Sequence, residues 1–324
     1  MLSRALFLLP GLWPGQVTTH GMGADETPAL RRLARWLGRA SPGDSPGAGS
    51  AHPCGWETAL AGALSYGPAR GGRQTWLAQP VRLTPGMKDV VAEPVSGIDP
   101  QEREALWQAA APELEAAGAV LQLSAHGLWL LEMESDGLVD GWPPSIGCGR
   151  SMPAPPLHSD TARRLRVLEN GLQMAWFQHP VNQRREADGR DPVHGLWLWS
   201  PGETGGEAAS RCVLGGGPVA RWLAEQAGAR WAPDPAAGPA DTNGAEPVVV
   251  VDALAQVPSL ERRLEILESV AEDVLAPWVA ALRRGRVGRL EIRDPQAAGG
   301  SVAPVELSLT RTGSIAFWRS ARRL

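Results

Sequence analysis

The sequence contains almost no lysine and little tyrosine or phenylalanine. Lys88 is the only lysine, and fourteen tryptophans stand against three phenylalanines and one tyrosine. Nearly all of the positive charge therefore comes from arginine, which we attribute, with the high alanine, glycine and proline content, to coding bias. The formal net charge is −4, so the chain lacks the basic excess of a general nucleic-acid-binding protein, and we expect no nucleic-acid partner.

Cysteine is too sparse to build a structural framework. Cys54, Cys148 and Cys212 lie far apart, and no CxxC or CxxH spacing occurs. A disulfide-stapled domain and a zinc knuckle both depend on such spacing, so neither class is supported. Unpaired cysteines fit a reducing compartment, and the sequence predicts a cytoplasmic protein.

Common catalytic signatures and long apolar runs are also missing. No GxSxG or HExxH motif occurs, and residues 215–218 (GGGP) lack the spacing of a phosphate-binding loop. No apolar run approaches the ~20 residues of a membrane-spanning helix, so we expect no membrane partner. The short run at residues 5–9 is interrupted by Pro10-Gly11 and is followed by no signal-peptidase site. We therefore interpret it as a buried strand.

Strand and helix patterns alternate along the whole chain. Residues 5–9 and 247–251 are continuous apolar runs typical of strands buried on both faces. Capping residues predict helices over 100–117 and from 159 or 160 to about 178. Towards the end, the pattern predicts a long helix, kinked at Pro277, over residues 260–282, and then three strands at 288–293, 305–310 and 314–318.

This alternation predicts an α/β fold with a mixed, mainly parallel sheet flanked by helices. We treat residues 1–324 as a single domain. Two stretches rich in proline, glycine and small polar residues, near 41–50 and 232–246, are predicted to be flexible insertions.

Ligands of open α/β sheets bind at the carboxyl ends of strands. Three predicted strand ends are of interest: Pro10-Gly11, Ser200-Pro201-Gly202 and Asp252. Polar and aromatic residues accumulate in sequence before the second of these ends. We predict a ligand-binding site there from six residues, which are His179, Asn182, Arg185, His194, Trp197 and Trp199.

Each of these side chains also has a structural interpretation, which the sequence leaves open. Arg185 has the planar fork that binds phosphate or carboxylate, and it could equally form an ion pair that holds the fold. His179 and His194 are candidates for proton transfer or metal binding, or for a helix C-cap and a turn residue, respectively. Asn182 could cap a short helix. Trp197 and Trp199 could pack in a core or line a groove.

The stretch 179–202, HPVNQRREADGRDPVHGLWLWSPG, resembles a bacterial family of regulatory RpfE-type or cofactor-independent phosphoglycerate-mutase-like proteins. LFLLPGL at residue 6, LAQPVRLTPGMKD at 77, IGCGRSMPAPP at 146, VVVVDAL at 248 and GRVGRLEIR at 285 agree with it. The resemblance covers most of the chain. Departures occur at Ser200-Pro201-Gly202 and His194, where the family has a glycine run and Asn, and at Gln79 and Arg82, where Asp and His are expected.

The resemblance implies a degenerate alkaline-phosphatase-like fold. Enzymes of that fold move phosphoryl groups at a two-metal site, with Asp and His ligands at strand ends and an Asp after the first strand. This chain has Leu9-Pro10-Gly11 at that place. We therefore expect no metal and no other cofactor, and a pseudoenzyme that acts as a binding or regulatory protein.

The expected partner is a small phosphorylated or carboxylate ligand or another protein. Two alternatives remain open from the sequence. One is an active metal-dependent phosphomutase or phosphatase whose ligands are not recognisable from spacing. The other is a protein-interaction module that uses a tryptophan-rich surface.

Overall fold

The computed structural model describes residues 2–12, 28–42, 55–67, 71–86, 90–137, 139, 141–149, 158–206, 208–255, 260–295 and 305–315. The strands are β1 Leu2–Leu8, β2 Ser41–Pro42, β3 Tyr66–Gly67, β4 Gly72–Pro85, β5 Val90–Pro94, β6 Ala119–Leu123, β7 Trp129–Ser135, β8 Gly195–Trp199, β9 Glu203–Thr204, β10 Arg211–Gly215, β11 Arg230–Ala232, β12 Glu246–Val250, β13 Val287–Asp294 and β14 Val305–Thr310. The helices are α1 Pro28–Arg39, α2 Trp56–Ala63, α3 Pro100–Ala117, α4 Pro144–Gly147, α5 Asp160–Phe177, α6 Pro180–Ala187, α7 Gly217–Gln226, α8 Leu260–Ser269, α9 Ala276–Arg283 and α10 Arg311–Ser314.

The chain groups into two compact units. Unit 1 comprises Met1–Ser65 and Thr204–Leu324, and unit 2 comprises the intervening Tyr66–Glu203. In sequence, unit 2 is therefore an insertion within unit 1. The alternating pattern of strands and helices gave no sign of this division, and the single-domain interpretation stays a prediction.

Unit 1 is built on a seven-stranded sheet in the order β11-β10-β12-β1-β13-β14-β2. The first five strands are parallel, whereas β14 and β2 run antiparallel to their neighbours. β1 lies between β12 and β13, which explains why its residues from Ala5 to Leu8 are apolar on both faces. The expected buried strands near the N-terminus and at 247–251 are both confirmed, as is a mixed, mainly parallel sheet flanked by helices.

The two faces of this sheet are covered differently. On one face, Phe7 and Val249 belong to the largest apolar cluster, where the ring of Phe7 meets Trp278 edge-on at 5.7 Å. Residues of α1, α8 and α9 complete that cluster. On the other face, α2 packs on β1 and β12 and α7 packs on β10. The next strand, β13, carries charged side chains on that face.

The C-terminal part departs from the predicted pattern in two places. The expected single helix over 260–282 is α8, then a π-helical segment over Val270–Leu275, then α9. Pro277 has no N–H to donate, and the wider π turn occurs directly before it. The strand expected at 314–318 is wrong at its start, because Arg311–Ser314 is a helical turn capped by Thr310. Residues 316–318 lie outside the described residues.

The two predicted flexible insertions differ in outcome. Ser41–Pro42 forms β2, and 43–50 lies outside the described residues. Residues 232–246 follow a defined path of turns, in which the Thr242 hydroxyl donates to Pro239 O at 3.0 Å and Arg230 donates to Thr242 O. The side chain of Thr242 is fully buried.

Unit 2 contains an antiparallel sheet in the order β5-β4-β7-β6, with β8 on the other side of β4. The long strand β4 pairs with β7 through its first half, with β8 at its centre and with β5 at its end. α3 and α5 pack against each other. The core beside them is rich in tryptophan, with Trp129 edge-on to both Trp107 at 5.4 Å and Trp176 at 6.4 Å.

The caps of α3 and α5 confirm two helix predictions. Asp99 accepts hydrogen bonds from the N–H groups of Gln101 and Glu102, and Glu102 accepts one from the N–H of Asp99, which is a complete capping box. Ser159 accepts from the N–H of Ala162 at 3.0 Å. Within the described residues, no helix is long and apolar enough to cross a membrane.

Gly288 in β13 provides a test of the sheet register in unit 1. A Cβ at this position would lie 2.6 Å from the backbone oxygen of Ser3 in β1, a contact that only a shift of the strands can relieve. We expect Gly288→Ala to lower the free energy of unfolding by about 1–3 kcal/mol. Gly62→Ala is the control: a Cβ meets nothing within 4 Å there, and a gain of about 0.4–1 kcal/mol is expected. Equal effects of the two substitutions in urea titrations would contradict this register.

Candidate functional site

The turn between α5 and β8 begins with a helix cap. His179 is the N-cap of α6, and its Nδ1 accepts a hydrogen bond from the N–H of Val181 at 3.2 Å. Pro180 follows at the first helical position, where a missing N–H costs nothing. The alternatives of His179 as a C-cap and Asn182 as an N-cap are therefore both wrong, because α5 ends at Phe177 and Asn182 lies inside α6.

Asn182 is 1% exposed and joins three segments of unit 2. Its Nδ2 donates to Trp176 O and to Val193 O, each at 2.7 Å, and its Oδ1 accepts from the N–H of Val193 at 2.8 Å. The side-chain amide thus pairs with both backbone groups of Val193, as a neighbouring strand would. Its hydrogen-bonding groups are occupied within the protein.

Arg185 is also 1% exposed and is the most extensively bonded side chain of the turn. Its Nη1 donates to Glu102 Oε2 at 2.7 Å and to Gly97 O at 3.2 Å. Its Nη2 donates to Ser96 O at 3.1 Å and its Nε to Asp191 O at 2.7 Å. Each nitrogen of the guanidinium therefore has an internal acceptor.

Glu102, the partner of Arg185, receives a second arginine. Its other oxygen accepts from Arg190, and its side chain is 8% exposed. Burial by itself would raise the pKa of Glu102, but the N–H of Asp99 and the two guanidinium groups outweigh it and lower the pKa below its usual range. The carboxylate therefore stabilises the fold fully above the unfolded-state pKa, and this contribution is lost as the pH falls through the lowered value.

His194 lies at the entry to β8. Its backbone N–H donates to Val81 O at 2.9 Å, and its ring Nδ1 accepts from the backbone N–H of Leu83 at 3.2 Å. His194 therefore extends the pairing of β8 with β4. The imidazole ring also contacts Phe177, with 5.8 Å between ring centroids.

The tryptophans of β8 pack within unit 2. Trp199 is buried, and the half-buried Trp197 donates from Nε1 to Trp142 O at 2.7 Å. The ring of Trp197 lies directly over Gly147 in α4, where an added Cβ would overlap the ring. This contact joins two segments of the family resemblance, IGCG and LWLW.

The structure thus brings the six predicted residues into one part of unit 2, where they connect α5, α6 and β8 with α3 and β4. Their polar groups described above bond to the protein itself, so the observed roles are structural, and ligand binding there stays a prediction. Sequence reasoning missed Glu102 as a member of this group. Its position near the start of the predicted helix over 100–117 indicated a favourable charge at the helix N-terminus and gave no sign of Arg185, 83 residues away in sequence.

Two of the three predicted strand ends meet in unit 1. Pro10-Gly11 follows β1 and Asp252 follows β12, and these two strands are adjacent. The third end, Ser200-Pro201-Gly202, follows β8 and belongs to the antiparallel sheet of unit 2. Asp252 begins a 3₁₀ turn whose N-cap is Val251, so Asp252 is not itself the cap of the segment that follows β12.

The loop after β1 is held from two sides. The fully buried Asp294, at the end of β13, accepts a hydrogen bond from the N–H of Gly11 at 2.8 Å. From α8, Arg263 donates to Gly11 O and to Leu12 O. Burial lowers the pKa of Arg263, and the negative charge of Asp294 opposes this change.

The strand ends described in unit 1 do not fit the two-metal site that the resemblance implies. Such a site needs several Asp and His ligands that converge on one point. Unit 1 has no histidine among its described residues, and Asp294 is bonded to the Gly11 backbone. No group of three or more His, Cys, Asp or Glu that could hold a metal ion occurs in the described part of the chain.

Comparisons with known proteins find similar folds among solved structures. No protein-family model and no curated protein matches the chain. The chain is similar to the cofactor-independent phosphoglycerate mutase from Thermoplasma acidophilum DSM 1728, at 15% identity over 96% of this chain and 90% of that chain, with a TM-score of 0.41. It is also similar to the PH0037 protein from Pyrococcus horikoshii, at 14% identity over 96% of this chain and 88% of that chain, with a TM-score of 0.51. The latter similarity shows the fold alone.

The Arg185–Glu102 pair is expected to be required for the stability of unit 2. Replacing Arg185 by Ala leaves Glu102 buried without its closest partner, and breaking a buried pair costs about 3–5 kcal/mol. Arg184→Ala, on the exposed side of α6, is the matched control and should change the free energy of unfolding by less than about 0.5 kcal/mol. A loss below about 1 kcal/mol for Arg185→Ala in urea titrations would instead favour a residue kept for ligand binding.

The His179 cap predicts a pH-dependent contribution to stability. Burial, assisted by the positive charge of Arg184, lowers the pKa of His179 from its ordinary value of 6.5. The unfolded chain then binds a proton more readily than the folded chain, so stability is lost as the pH falls below about 6.5. His179→Asn keeps a cap acceptor and removes the titration. The wild type should therefore lose more unfolding free energy than this variant between pH 7.5 and 5.5, and parallel pH profiles would contradict the assignment.

Proposed function

We propose that this chain is a phosphoglycerate-mutase-like protein that lacks the two-metal phosphoryl-transfer site and acts as a binding or regulatory protein. The observation that carries the proposal is that the strand ends in unit 1 hold backbone contacts in place of metal ligands. Where an enzyme of the implied family needs an Asp after the first strand, this chain has Leu9-Pro10-Gly11. The adjacent carboxylate, Asp294, is hydrogen-bonded to the backbone of that loop.

The proposal depends on how many negatively charged or imidazole ligands a two-metal site requires. Two divalent cations about 3.5–4 Å apart stabilise the attacking and leaving oxygens of phosphoryl transfer, and several anionic or imidazole ligands must hold them. In the described part of unit 1, Asp252 follows β12 and Asp294 ends β13, one on either side of β1, and no histidine accompanies them. Arg263 adds a positive charge beside Asp294, which opposes the binding of a cation there.

The tryptophan content does not favour an interaction module. Every described tryptophan is buried or half-buried, so the described surface offers no exposed tryptophan patch. Trp13 and Trp318 lie outside the described residues. The abundant tryptophans instead fill the cores of both units, as Trp76, Trp176 and Trp278 do.

The decisive experiment measures metal and turnover on the same preparation of the full chain. Metal content is determined by mass spectrometry after purification, and phosphatase and mutase activities are assayed with added manganese or zinc. We expect substoichiometric metal and no turnover above the blank, with an active mutase prepared in parallel as the control. Turnover that a chelator abolishes and added metal restores would overturn the proposal and establish the enzyme alternative.

A further inference from the structure

A ladder of alternating charges crosses five strands of the unit 1 sheet. It starts on β10 and continues over β12, β1 and β13 to β14, with acidic and basic side chains in turn. It lies on the face of the sheet that α2 only partly covers. In order, the ladder consists of Arg211, Glu246, Arg4, Glu291, Arg293 and Glu306.

Most contacts of the ladder are too long for hydrogen bonds of normal strength. Arg4 lies 3.5 Å from Glu246 and 3.6 Å from Glu291, and Arg293 lies 3.8 Å from Glu291. Two contacts at 3.0 Å, Arg211–Glu246 and Arg293–Glu306, are closer. Because N–H···O bonds in proteins cluster at 2.7–3.2 Å, the ladder neutralises its arginines without saturating them.

Each arginine therefore keeps donors for another acceptor. Nη2 of Arg4, Nη2 of Arg211 and Nη1 of Arg293 have no acceptor among the described residues. This differs from Arg185 in unit 2, where every guanidinium nitrogen is bonded. Partly buried guanidinium groups with spare donors are suited to an anion with several oxygens.

The three arginines of the ladder line a groove. The groove has a volume of about 330 Å³ and is bounded by the sheet and the end of α2. Arg4, Arg211, Arg293 and Glu306 are among its lining residues, whereas Glu246 and Glu291 are not. Three arginines thus stand against one carboxylate in the lining, and Glu246 and Glu291 neutralise those arginines as the other members of the ladder. We call this the arginine groove, with Arg4, Arg211, Arg293, Glu306 and the α2 residues Gly62 and Ala63 as its walls.

We propose that the arginine groove binds a small organic anion that presents phosphate or carboxylate oxygens to Arg4, Arg211 and Arg293. The inference rests on the proposed function of a binding protein and names the ligand class and its site. The volume is at the lower end of small-molecule pockets, which selects a short carbon skeleton. Leu6 and the small residues of α2 give that skeleton an apolar surface.

The test is isothermal titration of the full chain at about 0.15 M salt, where surface charges are screened beyond about 8 Å. The probes are inorganic phosphate, glycerol 3-phosphate and succinate, with uncharged glycerol as the negative control. We expect saturable one-to-one binding of at least one anion. Binding of the phosphates alone indicates a phosphorylated ligand, and binding of succinate alone indicates a dicarboxylate. No saturable binding with a Kd below about 10 mM would overturn the proposal.

Two arginine variants and a matched control locate the binding. Arg4→Gln and Arg293→Gln each remove charge-assisted hydrogen bonds and should weaken binding by about 10- to 100-fold. Arg289→Gln makes the same change on β13, at an exposed position in register with Arg4 and outside the groove lining. It should leave affinity within about twofold of the wild type. Equal weakening by Arg289→Gln and Arg293→Gln would overturn the site, because only general charge would then matter.

A steric variant tests the groove without altering any charge. Gly62 lines the groove, and a Cβ added there meets nothing within 4 Å. Gly62→Leu should therefore fold as the wild type does, as thermal unfolding checks, and should abolish anion binding. Full affinity in a folded Gly62→Leu protein would overturn the proposal.

The experiments distinguish failure of the non-catalytic function from failure of anion binding in the arginine groove. Metal-dependent turnover would overturn the non-catalytic function and leave any binding that maps to Arg4 and Arg293 in place. Absence of both turnover and anion binding would overturn the arginine groove and leave the non-catalytic function standing.

Discussion

Unit 2 depends on one buried charge and on the groups that neutralise it. Glu102 lies in the first turn of α3, where the capping box holds its backbone, and Arg185 reaches it from α6. The cost of burying both ions is offset because the guanidinium also satisfies the carbonyls of Ser96, Gly97 and Asp191. The loop before α3 and the loop after α6 are thereby both held by the side chain of Arg185. The conspicuous HPVN-x-x-R sequence is in this respect a folding motif.

The parts of the fold that follow from local rules could be predicted from the sequence. Asp99 and Ser159 start α3 and α5 where capping chemistry requires, and the apolar run of β1 indicated a strand buried on both faces. The side chains of β8 point alternately to the two faces of the sheet, so Leu196 and Leu198 share one side, as the two-residue period of a strand predicts. Each of these signals lies within a few residues of the structure it specifies.

What the sequence left undetermined depends on partners distant in the chain. The antiparallel sheet of unit 2 rests on β4, whose central Pro80 pairs with Leu196 of β8 although proline has no N–H to donate. At the predicted site, the residue types were right for binding an anion, but whether Arg185 faces a ligand or Glu102 depends on a contact across 83 positions. The arginine groove escaped notice for the same reason, since its arginines come from three strands that only the fold assembles.

The contact of Gly147 with Trp197 constrains how the sequence can change. The indole occupies the space that any side chain at position 147 would need. A larger residue at 147 is therefore accessible only after Trp197 has been replaced by something smaller, and the reverse order is blocked. The two positions, fifty residues apart, form an epistatic pair in which the viable mutational path runs in one direction. Among related sequences, a lost tryptophan in β8 should precede a lost glycine in α4.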